Sequence, residues 1–408
     1  METTHPDVDV YYPKVLDFIQ GHDHLCISTI QRAVTHGFKL TCAIVDRLIS
    51  EGHLRINPNG GYDVVKSTAT TPKTTSPIDA AIQLKDDELR FSEDGTVLLR
   101  VPNDATEVTI PEGVTMIGDE AFCGCTQLTS LWIPEGVKRI GDDAFSDCTG
   151  LTSLEIPQSV TEIGDSAFSG CTGLTSLLIP EGVKRIGGDA FSYCTGLTSI
   201  EIPSSVKEIG ESTFEGCTGL TSIEIPSNVT EIGDWAFYKC TGLTSVEIPS
   251  SVTRIGEDAF RDCTGLTSIM IPSSVTEIGD SAFSGCTGLT SLWIPEGVKR
   301  IGGDAFWKCE NLTKIRLPQT LTMIGARAFW DCRSLTSMII PDSVTEIGDG
   351  AFWGCSHLTK VNLPPNVILG TAVFRGCQQL KEVLILKDPD HWGPIGGPID
   401  LLNEDNED

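Results

Sequence analysis

Three sets of residues in this chain have types and spacings that could do chemistry. Fifteen cysteines could ligate a metal, pair as disulfides or act as nucleophiles. The run His22-Asp23-His24-Leu25-Cys26 gathers imidazoles, a carboxylate and a thiol side by side. Tryptophan, methionine and glutamate recurring at a fixed interval, as Trp132, Glu201, Glu224, Glu247, Met270 and Trp293, suit recognition and not bond making.

Spacing decides among them. Twelve of the cysteines, Cys125 through Cys377, occupy one position after a recurring phenylalanine. A residue fixed by repeat geometry behaves as a small buried hydrophobe, so the expectation is a reduced ladder in a reducing compartment, with Cys123 outside it as a second, exposed thiol. The histidine run fits no zinc spacing and has no second ligand pair, which leaves solvated loop histidines and no metal. The many Ser and Thr have no His or Asp partner in the pattern. No Gly-rich phosphate loop, metalloprotease motif or pair of catalytic carboxylates occurs. The chain is expected to be no enzyme, with no cofactor and no small-molecule substrate.

The elements that place these residues come from one sentence rewritten every 23 residues, typified by LTSLEIPQSVTEIGDSAFSGCTG from Leu151 to Gly173. Its Phe recurs at Phe122, Phe145, Phe168, Phe191, Phe214, Phe237, Phe260, Phe283, Phe306, Phe329, Phe352 and Phe374, the last step one residue short. Such a period means stacked coils, each burying a face only against its neighbours. Leu151, Leu154 and Ile156 point inward from a short strand that leaves Glu155 outward and that Pro157 ends. Val160 and Ile163 form a second inward pair around Glu162, and Gly164 permits a sharp turn. Asp165 is placed as the N-cap of a one- to two-turn helix that buries Ala167, Phe168 and Cys171, and Gly173 stops it. About twelve coils stacked at the ~4.8 Å strand spacing make a curved rod roughly 60 Å long.

The pattern LTSLxIPxxVTxIGxxAFxxCTG, over about residues 105–386, resembles the leucine-rich repeat of the BspA-like family, found in bacteria and in some protozoa. The resemblance implies an α/β repeat solenoid that binds proteins or surfaces and does not catalyse. Many members of that family are exported adhesins.

Charge narrows the partners. The 408 residues carry a formal charge of −27, which excludes a large basic nucleic-acid surface for the molecule as a whole. The opening METTHPDVDVYYPK has no basic segment followed by an apolar stretch, so a cytoplasmic location is expected. Nowhere do eighteen apolar residues follow one another, so no membrane span is expected.

Residues 11–65 are not a repeat. An amphipathic helix around Val15, Leu16, Phe18 and Ile19, a second from Ile30 to Val34, a third from Leu40 to Ser50 and a hairpin across Asn57 to Gly61 follow the winged-helix plan. Ile27 to Arg32 and Gly37 to Leu48 are similar to the gamma domain of FtsK-type DNA translocases, whose third helix and wing read DNA in the major groove. Where that family places two DNA-contacting arginines, this sequence has Leu40 and Ala43. Gln31, Arg32, Lys39, Arg47 and Arg55 remain as candidate phosphate contacts, and a winged helix used to dock protein or to dimerise is the alternative. The expected organisation is a winged-helix domain at 1–66, a flexible Thr/Ser/Pro linker at 67–83, a solenoid at 84–386 with a hairpin cap in 84–104, and an irregular acidic tail at 387–408.

Edits at outward positions carry the functional information, because inward positions answer to packing. The strand site before Ile-Pro reads Trp132, Glu155, Leu178, Glu201, Glu224, Glu247, Met270, Trp293, Arg316, Ile339, Asn362. On a concave sheet this makes an acidic centre flanked by Trp132 and Leu178 on one side and Met270 and Trp293 on the other, a face for a protein partner. The site before Ile-Gly alternates Arg139, Glu162, Arg185, Glu208, Glu231, Arg254, Glu277 and Arg300, which places opposite charges side by side and fixes stacking register. One residue after the ladder Phe, Trp307, Trp330 and Trp353 form a rim that clamps a partner or packs against itself. The expected function is a protein-recognition scaffold. A DNA-binding regulator and a surface adhesin are the alternatives.

Overall fold

The structure, a computed structural model, describes residues 89–387 and 391–394. Nearer the start it describes 12–13, 15–16, 19, 24–25, 44–45, 47–49, 51, 53–56 and 62–64. Most coils of the 89–387 body contribute a three-residue strand, such as Ser176–Leu178, and a two-residue strand, such as Arg185–Ile186, while the Leu151–Gly173 coil keeps only a single bridge, Glu155 to Leu178, in place of the longer strand. Both kinds of strand pair in parallel with their counterparts 23 residues on, as in Leu177 with Ile200 and Glu162 with Arg185. The long strands line one face and the short strands another. Between them the Phe ladder is fully buried, its rings stacked at centroid distances from 4.7 Å (Phe122 to Phe145) to 5.6 Å (Phe352 to Phe374).

The expected short helix is absent among the described residues, and this corrects the α/β class. The segment from Gly164 to Gly173 is a stack of turns. Two positions in each coil, two before and two after the ladder Phe, have positive φ: Ser166 at 53° and Gly170 at 70° in this coil, Trp235 at 54° and Lys239 at 58° three coils later. Left-handed residues cannot continue an α-helix. Alternate amides are thereby turned outward to the next coil: Ser166, Phe168 and Gly170 donate to the carbonyls of Gly188, Ala190 and Ser192 at 2.8 Å. The helix loses because the cross-coil ladder satisfies the same backbone groups while keeping Phe168 over Phe191. Asp165 does cap amides, but across coils: its Oδ1 accepts from Gly188 N at 3.1 Å, as Asp234 accepts from Glu257 N at 2.9 Å.

The cysteines complete this interior. Cys148 through Cys377 each donate Sγ–H to the carbonyl of the preceding coil's ladder Phe, at 3.0 to 3.2 Å. The thirteen described cysteines are free thiols. Burial pushes Cys125 and Cys309 up to about 12, and Cys148 through Cys286, Cys332 and Cys355 well above the ordinary thiol range, so the nucleophilic thiolate is suppressed there. In native protein at pH 8, alkylation followed by peptide mapping is expected to label Cys123 at least about a hundredfold faster than Cys240. Equal labelling of the two would show that the ladder is not closed.

Both ends are covered. Arg90–Phe91 and Val97–Arg100 form an antiparallel hairpin whose second strand pairs in parallel with Met116–Ile117. Its turn is held by Asp94, which accepts from Ser92 Oγ at 2.7 Å and from Thr96 N and Oγ1, and these bonds hold the carboxyl down to about 2. At the other end, irregular backbone was expected after residue 387. Instead Glu382–Lys387 pairs antiparallel with His391–Pro394, which gives the last long strand a hydrogen-bonded neighbour on its open edge.

Near the N-terminus, helical residues Val15, Ile19, Ile44, Val45 and Leu48 bury an apolar cluster with Tyr12 and Leu54. Leu54–Ile56 and Tyr62–Val64 pair antiparallel, with His24–Leu25 on the other side of the latter. The expected second helix, most of the residues matched to the gamma domain, the linker and the acidic tail lie outside the described residues, so no winged helix is assigned here.

Candidate interaction surface

Strand alternation carries every second side chain of the long strands outward, and the 23-residue register sets these side by side. Leu178 sits beside Glu201, Glu201 beside Glu224, Glu224 beside Glu247, Glu247 beside Met270, and Trp293 beside Arg316. All seven residues expected to make the partner face thus lie on one side of the solenoid. Their large apolar members are exposed there: Met270 by 72%, Trp293 by 62%, Leu178 by 61% and Trp132 by 48%. Ile339, two coils beyond Trp293 in the same row, is exposed as well; it stands in the outward row read from the sequence but outside the residues expected to make the partner face.

The face is interrupted at three levels, between Ser130–Trp132 and Glu155, between Ser268–Met270 and Ser291–Trp293, and between Lys314–Arg316 and Ser337–Ile339. Hydrogen-bonded pairing of the long strands runs from Ser176–Leu178 to Ser268–Met270 and stops, then resumes between Ser291–Trp293 and Lys314–Arg316. The splay opens a groove lined by Glu247, Met270, Trp293 and Arg316 over a floor of Val246, Ile269, Leu292 and Ile315. Arg316 lies 4.9 Å from the Trp293 ring centroid, a cation–π contact across the wall of the groove. On the groove's other side stand Glu201, Glu224 and Glu247, neighbours of like charge with no ion pair among the described residues. Like charges placed opposite one another destabilise a sheet. A cationic partner would relieve that repulsion.

The other two rows serve the fold. On the short-strand face three arginines reach back to two carboxylates of the preceding coil: Arg254 to Glu231 at 2.5 Å and Asp234 at 3.0 Å, Arg300 to Glu277 at 2.7 Å and Asp280 at 3.0 Å, Arg185 to Glu162 at 3.2 Å and Asp165 at 2.8 Å, while Arg139 pairs with Asp142 of its own coil at 3.5 Å. The expected side-by-side alternation is present in the register, as in Glu162 beside Arg139 and Arg185 and Arg254 beside Glu231 and Glu277, and the Asp contacts add a backward fork to it; Glu208 lies in register with Glu231, a like-charged pair. On the rim, Trp330 and Trp353 stack at 4.5 Å, Arg375 covers Trp353 at 4.6 Å and Lys308 covers Trp307 at 4.1 Å.

Of the candidate phosphate contacts, Arg47 is bonded to Glu51 at 2.9 Å and lies 4.1 Å from the Tyr12 ring centroid. Tyr12 also donates to Glu51, and burial followed by this carboxylate pushes its hydroxyl up to about 12. Arg55 is on the Leu54–Ile56 strand, opposite Asp63. Gln31, Arg32 and Lys39 lie outside the described residues. No group of His, Cys, Asp and Glu among the described residues is arranged to hold a metal, and no described helix is long and apolar enough to cross a membrane.

Comparison with known proteins agrees with this geometry. The BspA type leucine rich repeat region matches in six copies, over residues 102–218, 184–312 and 276–393. A leucine-rich repeat protein from Bacteroides ovatus ATCC 8483 is 34% identical with a TM-score of 0.61, over 72% of this chain and 84% of its own. A leucine rich cell surface protein from Faecalibacterium prausnitzii A2-165 is 30% identical with a TM-score of 0.52, over 74% of this chain and 93% of its own. No curated protein matches the chain.

Proposed function

Because the chain belongs to the BspA-type leucine-rich-repeat family, we propose that it is a non-enzymatic recognition scaffold that holds a basic protein segment on its long-strand face. The observation that carries this reading is the exposed row in which Glu201, Glu224 and Glu247 run directly into Met270 and Trp293. Exposed aromatic and Met side chains supply contact area, and unpaired carboxylates beside them supply steering and selectivity for cations. The groove at the sheet break gives Met270 and Trp293 walls on two sides, which is where anchors of an interface sit. A surface scaffold remains compatible with the family, and localisation of the tagged chain separates it from the cytoplasmic scaffold favoured here.

The test is charge reversal on matched faces. The triple variant Glu201→Lys, Glu224→Lys, Glu247→Lys is expected to weaken a captured partner at least about a hundredfold. Reversal of Glu208 and Glu346 on the short-strand face is expected to leave binding within about twofold. Loss of the partner from both variants, or from neither, sinks the assignment to the long-strand face.

A further inference from the structure

In a chain of formal charge −27 a cation readily finds a carboxylate, and most of the array's arginines do. Arg185, Arg254, Arg300, Arg327 and Arg333 each pair with at least one. On the long-strand face, Lys360 reaches Glu382 of the next coil at 3.3 Å. Lys314 and Arg316, exposed on the same face, form no ion pair among the described residues. Register gives the reason. Lys314 lies beside Ser291 and Arg316 beside Trp293, and the coil beyond supplies Ser337 and Ile339, so neither outward row offers them a carboxylate.

These two residues make the face electrically polar along the stack. From Ser130–Trp132 to Ser291–Trp293 every coil has Ser at the position of Lys314 and a neutral or acidic residue at that of Arg316, so they are the first cations in either row. Glu201, Glu224 and Glu247 occupy three consecutive coils, Met270 and Trp293 the next two, and Lys314 with Arg316 the one after. The groove crosses the same boundary, with Glu247 at one end, Lys314 and Arg316 at the other, and Met270 and Trp293 between. At ~4.8 Å per coil, Arg316 lies about 14 Å from Glu247 and about 19 Å from Glu224, a span of roughly four to six residues of extended chain. A uniformly basic ligand laid along this face would be attracted at the Glu row and repelled at its other end.

We propose that the face selects a protein segment of split charge: Lys or Arg against Glu201 to Glu247, a large apolar side chain in the groove between Met270 and Trp293, and a carboxylate against Lys314 and Arg316. This rests on the long-strand face being the recognition surface, and it makes Lys314 and Arg316 the residues that set which basic segments are accepted. A carboxylate suits the pair, because the Arg316 guanidinium offers a planar fork of donors and Lys314 adds a second cation on the same side of the same strand. The Arg316 contact with the Trp293 ring puts that fork next to the apolar site, so the ligand's apolar and anionic groups are read as neighbours.

Random peptides of about twelve residues, long enough to span all three regions, test it when displayed on phage and selected on the full chain. Counter-selection uses the variant Met270→Ser with Trp293→Ser. Enriched peptides are expected to carry Lys or Arg and Asp or Glu roughly four to six residues apart, on opposite sides of an aromatic residue or Leu. Synthetic copies are expected to bind the variant Lys314→Glu with Arg316→Glu at least about tenfold more weakly, and exchanging the peptide's carboxylate for Lys is expected to restore binding to that variant. Restoration separates a lost charge contact from a misfolded face. Enriched peptides that are basic throughout, and that bind the reversed variant as well as the native chain, overturn the split-charge proposal and leave the recognition face standing. Enrichment that does not depend on Met270 and Trp293 overturns both. A native chain that sediments as a dimer, with the Lys314→Glu, Arg316→Glu variant a monomer, assigns the face to a second copy and overturns the proposal as well.

Discussion

Phe237→Ala is expected to destabilise the solenoid by about 3–5 kcal/mol, the largest effect of any single substitution in the array. The ring is fully buried and stacked between Phe214 at 5.5 Å and Phe260 at 5.1 Å, so truncation leaves a cavity with two unsupported neighbours. Each coil is stabilised by its nearest neighbours, so the cavity also uncouples the stack on either side of it. Urea unfolding is expected to lose its single transition, with the two halves melting apart. Phe374→Ala at the last coil, stacked on Phe352 alone, is expected to cost less and to leave one transition. A loss under about 1 kcal/mol at Phe237 would mean that the ring stack is not what holds the coils together.

Two glycines at the same place in the repeat are expected to respond to Ala with opposite signs. A Cβ at Gly256 would meet Asp234 Oδ1 at 2.4 Å and the backbone of Gly233 and Asp234 at 2.6 and 2.7 Å, so Gly256→Ala forces the coils apart at a cost of about 1–3 kcal/mol or more. At Gly210 the nearest atom is Thr213 Oγ1 at 3.4 Å, ordinary contact. Gly210→Ala is expected to be neutral or to stabilise by about 0.4–1 kcal/mol through the unfolded chain. Thermal melts of the two variants give the answer directly. Equal losses at both positions would mean that the coils lie as close beside Gly210 as beside Gly256.

Much of this was legible in the sequence, and what was not has a physical reason. The period, the inward Leu, Ile, Val, Phe and Cys positions and the outward row from Trp132 to Trp293 follow from strand alternation, and one residue's direction fixes its neighbour's. The turn stack was missed because Asp165, Ala167 and Phe168 satisfy a helix pattern locally, while the competing cross-coil bonds, such as Phe168 N to Ala190 O, exist only once a second coil is present. The signal was there in Gly124, Gly170, Gly216 and Gly285, which mark the left-handed position two residues after the Phe. The backward forks of Arg185, Arg254 and Arg300 needed the geometry of Asp165, Asp234 and Asp280, which a row-by-row reading treats separately. The groove at Met270 and Trp293 comes from a break in strand pairing that no residue type announces.

The central claim is that recognition takes place on the long-strand face, and radical footprinting of the full chain with and without a captured partner tests it most directly. On complex formation, oxidation of Met270 and Trp293 is expected to fall several-fold, with Leu178 and Ile339 following according to the partner's length. Trp307, Trp330 and Trp353 on the rim and Ile368 are expected to keep their labelling. Protection of the rim tryptophans with Met270 and Trp293 still fully oxidised would contradict the account and move the binding site to the turn stack.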